Sequence, residues 1–379
     1  MSELIKKIEV RHCHPYIVYD SILSTPNILK GILETKKYVA MIETVAKEVI
    51  NRGIQRIYFS GCGTSYYAGI ASTYIFHKLT KIPTVAITAF ELINYPPPDM
   101  NSNVALFVIS HSGHTKVDVD LAKYAKEKGV FTVAITDVPD SPLARSVDKV
   151  ILGPGGRDIP IPKTRSYVAS LLRSFLVAIY IGKETNINVD RYLNEVRQIP
   201  DLISKIIKNS EEKVKELASK YRDKYSFFIV GGGPNYATAL EGALKLKEMG
   251  FVDGEAIEAE EAAHGPHICF NENIVYMTIA PPSLCYNRLY DLVRSVKVIG
   301  APTISIVQEG DDRISKVSDD FIEIPATLSE ELTPMLYIIP IYLFSYYLAV
   351  EKGMNPDIAR TDDIRFRKVM EILFPPGTH

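Results

Sequence analysis

The sequence predicts an α/β protein built on parallel sheet, with the same layout written twice. Short apolar runs rich in β-branched residues alternate with helix-length amphipathic runs along the chain. Small, hydroxyl-rich turns such as GCGTS and SHSGHT stand where a strand hands over to a helix. The order of elements beginning at Gln55 returns at Tyr225, an offset of roughly 170 residues, as an internal duplication would leave it.

At the amino end, Thr25-Pro26 places a hydroxyl cap and a first-turn proline ahead of a helix from Ile28 to Ile50. IQRIYFS follows as a buried strand, GCGTS as a turn and Tyr66 to Leu79 as a helix. PTVAIT and NVALFVIS are strands; SHSGHT leads into a helix from Lys116 to Lys128, and VFTVAIT and DKVILG close the set. A charged helical stretch from Asp190 to Arg222 joins the halves. The second half reads YSFFIV strand, GGGPN turn, and helix Tyr236 to Met249. NIVYMTIA, APTISIV and DDFIEIP are its further strands, with helices at Leu289 to Gly300 and Glu331 to Lys352. The expected organisation is 1–195 for the amino-terminal helix and first domain, 196–352 for the second domain, and 353–379 for a basic tail or lid.

Composition sets the class. Among 379 residues, 46% are hydrophobic and 23% charged, the balance of a folded protein. A net charge of -2 without a long basic run argues against nucleic acid as partner, because that affinity rests on clustered Lys and Arg. The amino terminus lacks a signal-peptide core, and the apolar run near Met335 to Val350 carries Pro340 and Ser345 and falls short of the ~20 residues of a membrane span. A cytoplasmic protein is expected. Cys13, Cys62, Cys269 and Cys285 are scattered, which indicates neither a disulfide framework nor a zinc site, and His12-Cys13-His14 reads as a loop.

In an open parallel sheet, ligands sit beyond the carboxyl ends of the strands. GCGTS and SHSGHT both fall there, each ahead of a helix whose first N–H groups lack intrahelical partners, which favours an anion. Thr64, Ser65, Ser110, Ser112 and Thr115 would donate to a phosphate ester; ordinary helix capping is the plainer alternative. GCGTSYYAG lacks the GK[ST] of a P-loop, and Tyr66 and Tyr236 replace the third glycine of a dinucleotide motif, so the phosphate belongs to a small molecule. In the second half, Glu241, Lys245 and Glu248 share one helix face, and His264 follows in a His-Gly-Pro turn. A carboxylate, an amine and an imidazole are the groups needed to open a sugar ring and move a proton between C1 and C2; an exposed ion pair is the alternative.

Together GCGTSYYAG, SHSGHT and LEGALKLKE…HGP resemble the family built from two sugar isomerase (SIS) domains. That family includes the isomerase half of glucosamine-6-phosphate synthase and SIS-type glucosamine-6-phosphate deaminases. The resemblance runs from about Tyr19 to the tail. It implies two tandem flavodoxin-like α/β domains, a homodimer, a phosphorylated amino sugar as ligand, and no metal or cofactor. It also implies roles: Gly63, Thr64, Ser65, Ser110, His111, Ser112 and Thr115 around the phosphate, with Lys163 near the substrate. Glu248 matches the proton-shuttling base, Lys245 a lysine touching substrate, and His264 a ring-opening histidine that reaches the partner subunit's site. Lys368 matches a tail lysine that closes over the open-chain sugar, with Arg367 as the alternative register.

The departures bear on the reaction. The sequence starts MSEL and its first cysteine is Cys13, so a glutamine-hydrolysing domain is not expected. His111 and His114 stand where the synthase has glutamine and glutamate, and Lys163 where it has serine. The expected activity is glucosamine-6-phosphate deaminase. A deglycase or isomerase of another phosphorylated amino sugar, a synthase subunit fed ammonia by a separate chain, and a non-catalytic sugar-phosphate sensor are the alternatives.

Overall fold

The computed structural model of the chain describes residues 11–325 and 328–375; expectations for 1–10 and 376–379 lie outside the described residues. Among the described residues, ten strands form two five-stranded sheets, every pairing parallel. The first sheet holds β1 (Arg56–Ser60), β2 (Thr84–Ala86), β3 (Val104–Ile109), β4 (Phe131–Thr136) and β5 (Lys149–Leu152) in the order β2-β1-β3-β4-β5. The second holds β6 (Ser226–Gly231), β7 (Asp253–Glu258), β8 (Ile274–Ala280), β9 (Thr303–Gln308) and β10 (Asp320–Ile324) in the order β7-β6-β8-β9-β10. The recurrence in the sequence is thus one topology built twice.

Both faces of each sheet are covered, which is why the central strands read as unbroken apolar runs rather than alternating ones. On one face of the first sheet, Phe59 and Phe107 pack edge-on against Phe76 of the helix Thr64–Thr80 and tilted against each other. On the other, Leu106 and Val108 pack with Val119, Leu121 and Ala122 of the helix Lys116–Glu127. The second sheet repeats this with Phe227 against Phe344 on one side and Val230 with Leu289 and Val293 on the other. Phe344 belongs to the helix Pro334–Glu351, long and apolar enough to cross a membrane but buried almost throughout its length as a core helix.

Three elements differ from expectation. β7, DGEAIE, absent from the expected strands, is an edge strand beside β6, where acids and a glycine are tolerated because one edge has no neighbour to satisfy. The amino-terminal helix begins at Ile17, not after Thr25, and Pro26 lies inside Ile17–Glu34; a second helix, Lys36–Asn51, follows a break at Thr35. The helix start is fixed by Asp357, whose carboxylate accepts from the N–H groups of Ile17 (2.9 Å) and Val18 (2.8 Å). That cap comes from 340 residues away and leaves no local signature. Lastly, the tail forms a helix, Ile364–Leu373, capped by Asp363 and with no buried residue.

By contacts the chain divides into two compact units: Asn27–Arg197 with 360–375, and Arg11–Pro26 with Gln198–Ala359. The expected boundaries placed 11–26 in the first domain, but its side chains are held by the second unit. His14 Nδ1 lies 2.7 Å from the Tyr346 hydroxyl, and the Tyr19 hydroxyl donates to Glu211 at 2.5 Å.

Candidate active site

In the first unit, β1 and β3 are adjacent and parallel, with Ser60 opposite Val108. The turn after β1 and the loop after β3 therefore emerge side by side at the point where strand order reverses. Gly63 sits at the cap position of the helix Thr64–Thr80 with φ 53°, a left-handed conformation costly for other residues. Gly113, at φ 63°, is also fixed by space: a Cβ there would stand 2.2 Å from Ser141 Oγ. Thr64 and Ser65 open the helix Thr64–Thr80 after β1, and Ser110, Ser112 and Thr115 lie between β3 and the helix Lys116–Glu127. Ser110 is buried, its N–H donating to Ile135 O at 3.0 Å. Ser112 Oγ accepts from the His114 N–H at 3.3 Å, and Thr115 occupies the cap position of Lys116–Glu127 without capping it.

His111 corrects the expected assignment to the phosphate. Its Nδ1 lies 2.8 Å from Asp137 Oδ2, and its Nε2 accepts the Asp158 N–H at 2.7 Å. Nδ1 therefore carries the proton and donates to Asp137, and both ring nitrogens are engaged inside the protein. Asp137 in turn meets Arg173, wholly buried, at 3.0 Å. Burial alone would raise the Asp137 carboxyl; Arg173 and His111 outweigh it and hold the group below its ordinary range. Lys163 likewise turns inward, donating to Asp158 O at 2.9 Å and to Pro160 O. His111 and Lys163 thus brace the segment around Asp158 rather than point at a ligand.

In the second unit, the helix Pro234–Glu248 starts at proline after the glycine turn and carries the second constellation. Lys245 Nζ lies 2.5 Å from Glu248 Oε2 and 3.4 Å from Glu241 Oε1, and Tyr342 donates to Glu241 Oε1 at 3.0 Å. Lys245 and Glu241 side chains are fully buried, whereas Glu248 is 29% exposed. Burial would lower the Lys245 amine, but Glu241 and Glu248 together raise it above its ordinary value, so it stays an ammonium. The exposed-pair alternative fails here. The substrate-touching role expected for Lys245 is also corrected: with its side chain fully covered, its influence passes through Glu248.

His264 follows the short turn Glu261–Ala263 and is largely exposed, with Nδ1 2.9 Å from its own Glu260 O. In the tail helix Lys368 is exposed, while Arg367 Nε donates to Thr361 O at 3.1 Å. Arg367, the alternative register, is thus tied to the backbone.

Sequence reasoning missed Asp118, Asp137 and Arg173. Arg173 had a usable signal, a lone charge in the apolar run SYVASLLRSFLVAIYIG, which demands a buried acid. Asp118 had only its place one turn past Thr115.

The sequence model of the SIS domain matches residues 52–179 and 220–352, one segment in each unit. The chain belongs to the SIS domain family. Similar curated proteins include the glutamine–fructose-6-phosphate aminotransferase (isomerizing) of Pyrococcus horikoshii, 37% identical over 80% of this chain and 50% of that one. The protein of the same name from Clostridium tetani is 33% identical over 83% and 52%. This SIS chain therefore spans about half the length of these relatives. Among solved structures, the C-terminal domain of glucosamine-fructose-6-phosphate aminotransferase from Francisella tularensis superposes with a TM-score of 0.82 at 24% identity, covering 91% of this chain and 98% of that one. Tagatose-6-phosphate ketose/aldose isomerase from Escherichia coli gives 0.78 at 15% identity, covering 91% and 96%. Both likenesses establish the double-SIS fold.

Proposed function

We propose that this SIS protein is a sugar-phosphate aldose–ketose (amino)isomerase, and specifically a glucosamine-6-phosphate deaminase of the cytoplasm. The observation that carries the reading is the Lys245–Glu248 pair at 2.5 Å: a buried cation holding a partly exposed carboxylate. The names of the relatives, which include a glucosamine-6-phosphate deaminase from Thermotoga maritima at 24% identity, support the substrate class.

In this mechanism the hydroxyls of Thr64, Ser65, Ser112 and Thr115, with the helix starts behind them, bind the 6-phosphate. His264 of the partner subunit in a homodimer passes a proton between the ring oxygen and the C1 hydroxyl, which opens the ring to the aldehyde. Glu248 takes the C2 proton and returns it to C1, converting the 2-amino aldose into the 2-imino ketose. Water adds at C2, the C–N bond breaks, and fructose 6-phosphate and ammonia leave. Lys368 on the exposed tail helix covers the open chain.

Ammonia release from a panel of 6-phosphorylated amino sugars tests the reading. Release from glucosamine 6-phosphate that disappears in Glu248→Gln is expected; tight binding of the sugar without turnover would point to a sensor.

A further inference from the structure

The helix that carries Glu248 ends on a turn that is held from outside it. Met249, Gly250 and Phe251 follow Pro234–Glu248 directly, and β7 starts at Asp253. The N–H groups of Met249 and Gly250 both reach back to Lys245 O, at 2.9 and 3.3 Å, and the Val252 N–H reaches Leu246 O at 3.2 Å. Phe251 sits at φ 54°, in the left-handed region that is costly for a residue with a side chain. The reversal is therefore strained, at a helix end whose last carbonyls have no donor within the helix.

Lys352 supplies a donor there. It closes the helix Pro334–Glu351 of the same unit, and its Nζ donates to Gly250 O at 3.0 Å. Among the described residues no carboxylate pairs with this amine, although the side chain is half-buried. Burial lowers the amine below its ordinary value, with the charge of Asp223 acting the other way. A surface lysine with no task extends its amine into water. This one is partly desolvated on a single backbone carbonyl, two residues beyond Glu248.

We propose that Lys352 is a positioning residue for Glu248: its ammonium clamps the turn at Gly250 and Phe251 and so keeps the last turn of the helix wound beneath the carboxylate. The proposal rests on the reading of Glu248 as the proton-transferring base. The Glu248 side chain is tied to Lys245, but its backbone is the last residue of the helix, where fraying begins. Relaxing Phe251 toward an ordinary conformation would pull on Gly250 and unwind that turn. A cation on Gly250 O opposes this twice, through a charge-assisted hydrogen bond and through its charge at the negative end of the helix. Lys352 acts only through the backbone, so its loss should displace the base without weakening the phosphate loops of the first unit. A displacement of ~1 Å at a reacting group can cost ~10²-fold in rate.

The test compares the normal full-length chain with Lys352→Met and Lys352→Arg. Three quantities are read: deuterium entry at C1 of fructose 6-phosphate in deuterated water, calorimetric affinity for the same sugar, and amide hydrogen exchange across 249–252 by mass spectrometry. Lys352→Met is expected to slow entry at C1 by ~10- to 100-fold with affinity little changed, and to speed exchange of the Met249, Gly250 and Val252 amides. Lys352→Arg keeps a cation and a donor and should restore both. Lys352→Gln, with a donor but no charge, should fall between them, and it carries the comparison if Lys352→Met does not fold. Entry at C1 at the normal rate in the uncharged variant, or slowed entry with those amides as protected as in the normal protein, would overturn the proposal. An affinity loss as large as the rate loss would also overturn it, by marking general damage to the fold. Absence of deuterium at C1 with the normal protein would instead overturn the reading of Glu248, and this inference with it, even where faster amide exchange still reported the clamp.

Discussion

Lys245 Nζ lies 2.5 Å from Glu248 Oε2 and 3.4 Å from Glu241 Oε1, so one wholly buried ammonium serves two carboxylates, of which only Glu248 reaches the surface. The arrangement assigns the residues unequal jobs. Glu241, with Tyr342 behind it, anchors the lysine; the lysine holds Glu248, the proposed base.

Removing Lys245 is therefore expected to damage the fold as well as catalysis. Lys245→Met leaves the Glu241 charge buried without its cation and should cost about 3–5 kcal/mol in urea unfolding. Lys245→Met combined with Glu241→Gln should recover much of that stability without recovering turnover. Recovery of turnover in the double variant would remove Lys245 from the chemistry.

Loss of a phosphate-loop hydroxyl should appear in substrate affinity. Ser112→Ala or Thr115→Ala each deletes a hydrogen bond to a charged group worth ~1.5–3 kcal/mol, so KM for glucosamine 6-phosphate should rise roughly 10- to 100-fold with kcat little changed. Unphosphorylated glucosamine should be a poor substrate; equal turnover of the two sugars would contradict the phosphate site.

The Arg173–Asp137–His111 chain predicts a pH dependence on the acid side. Asp137 is held below its ordinary value, so its contribution to stability is fully present above the unfolded carboxyl value near 3.9 and is lost as pH falls through the lower folded value. Arg173→Met should destabilise by about 3–5 kcal/mol at neutral pH. The gap should narrow as pH falls below about 4, since a protonated Asp137 needs no cation. A gap independent of pH in denaturant titrations would sink the assignment.

How much of this was legible in the sequence follows from where the information sits. Central strands such as VALFVI and the helix after each small-residue turn were readable because both faces of the sheet are covered, which imposes unbroken apolar runs. The clustering of Ser110, Ser112 and Thr115 was readable because it is local. The cap that Asp357 provides to Ile17 and Val18, and the closure of Arg173 on Asp137, join residues far apart in the chain. His111 illustrates the limit: its place in SHSGHT suggested a ligand contact, whereas its two partners, Asp137 and Asp158, come from elsewhere in the chain.

Complementation between chains tests the placement of His264. Its exposed ring has Nδ1 2.9 Å from Glu260 O, an arrangement suited to presenting Nε2 outward. Mixing inactive Glu248→Gln and His264→Ala proteins should restore part of the activity through hybrid dimers with one intact site. No recovery, with subunit exchange verified by mass, would place His264 in its own chain's site.

Proton transfer by Glu248 is the centre of the mechanism, and hydrogen exchange measures it without requiring net turnover. Incubated with fructose 6-phosphate in deuterated water, the normal protein should place deuterium at C1, because Glu248 trades its proton with solvent between C1 and C2. Glu248→Gln keeps the shape and loses the base, so its exchange should be slower by ~10²–10⁴-fold while fructose 6-phosphate still binds. Exchange at the normal rate in Glu248→Gln would contradict the mechanism.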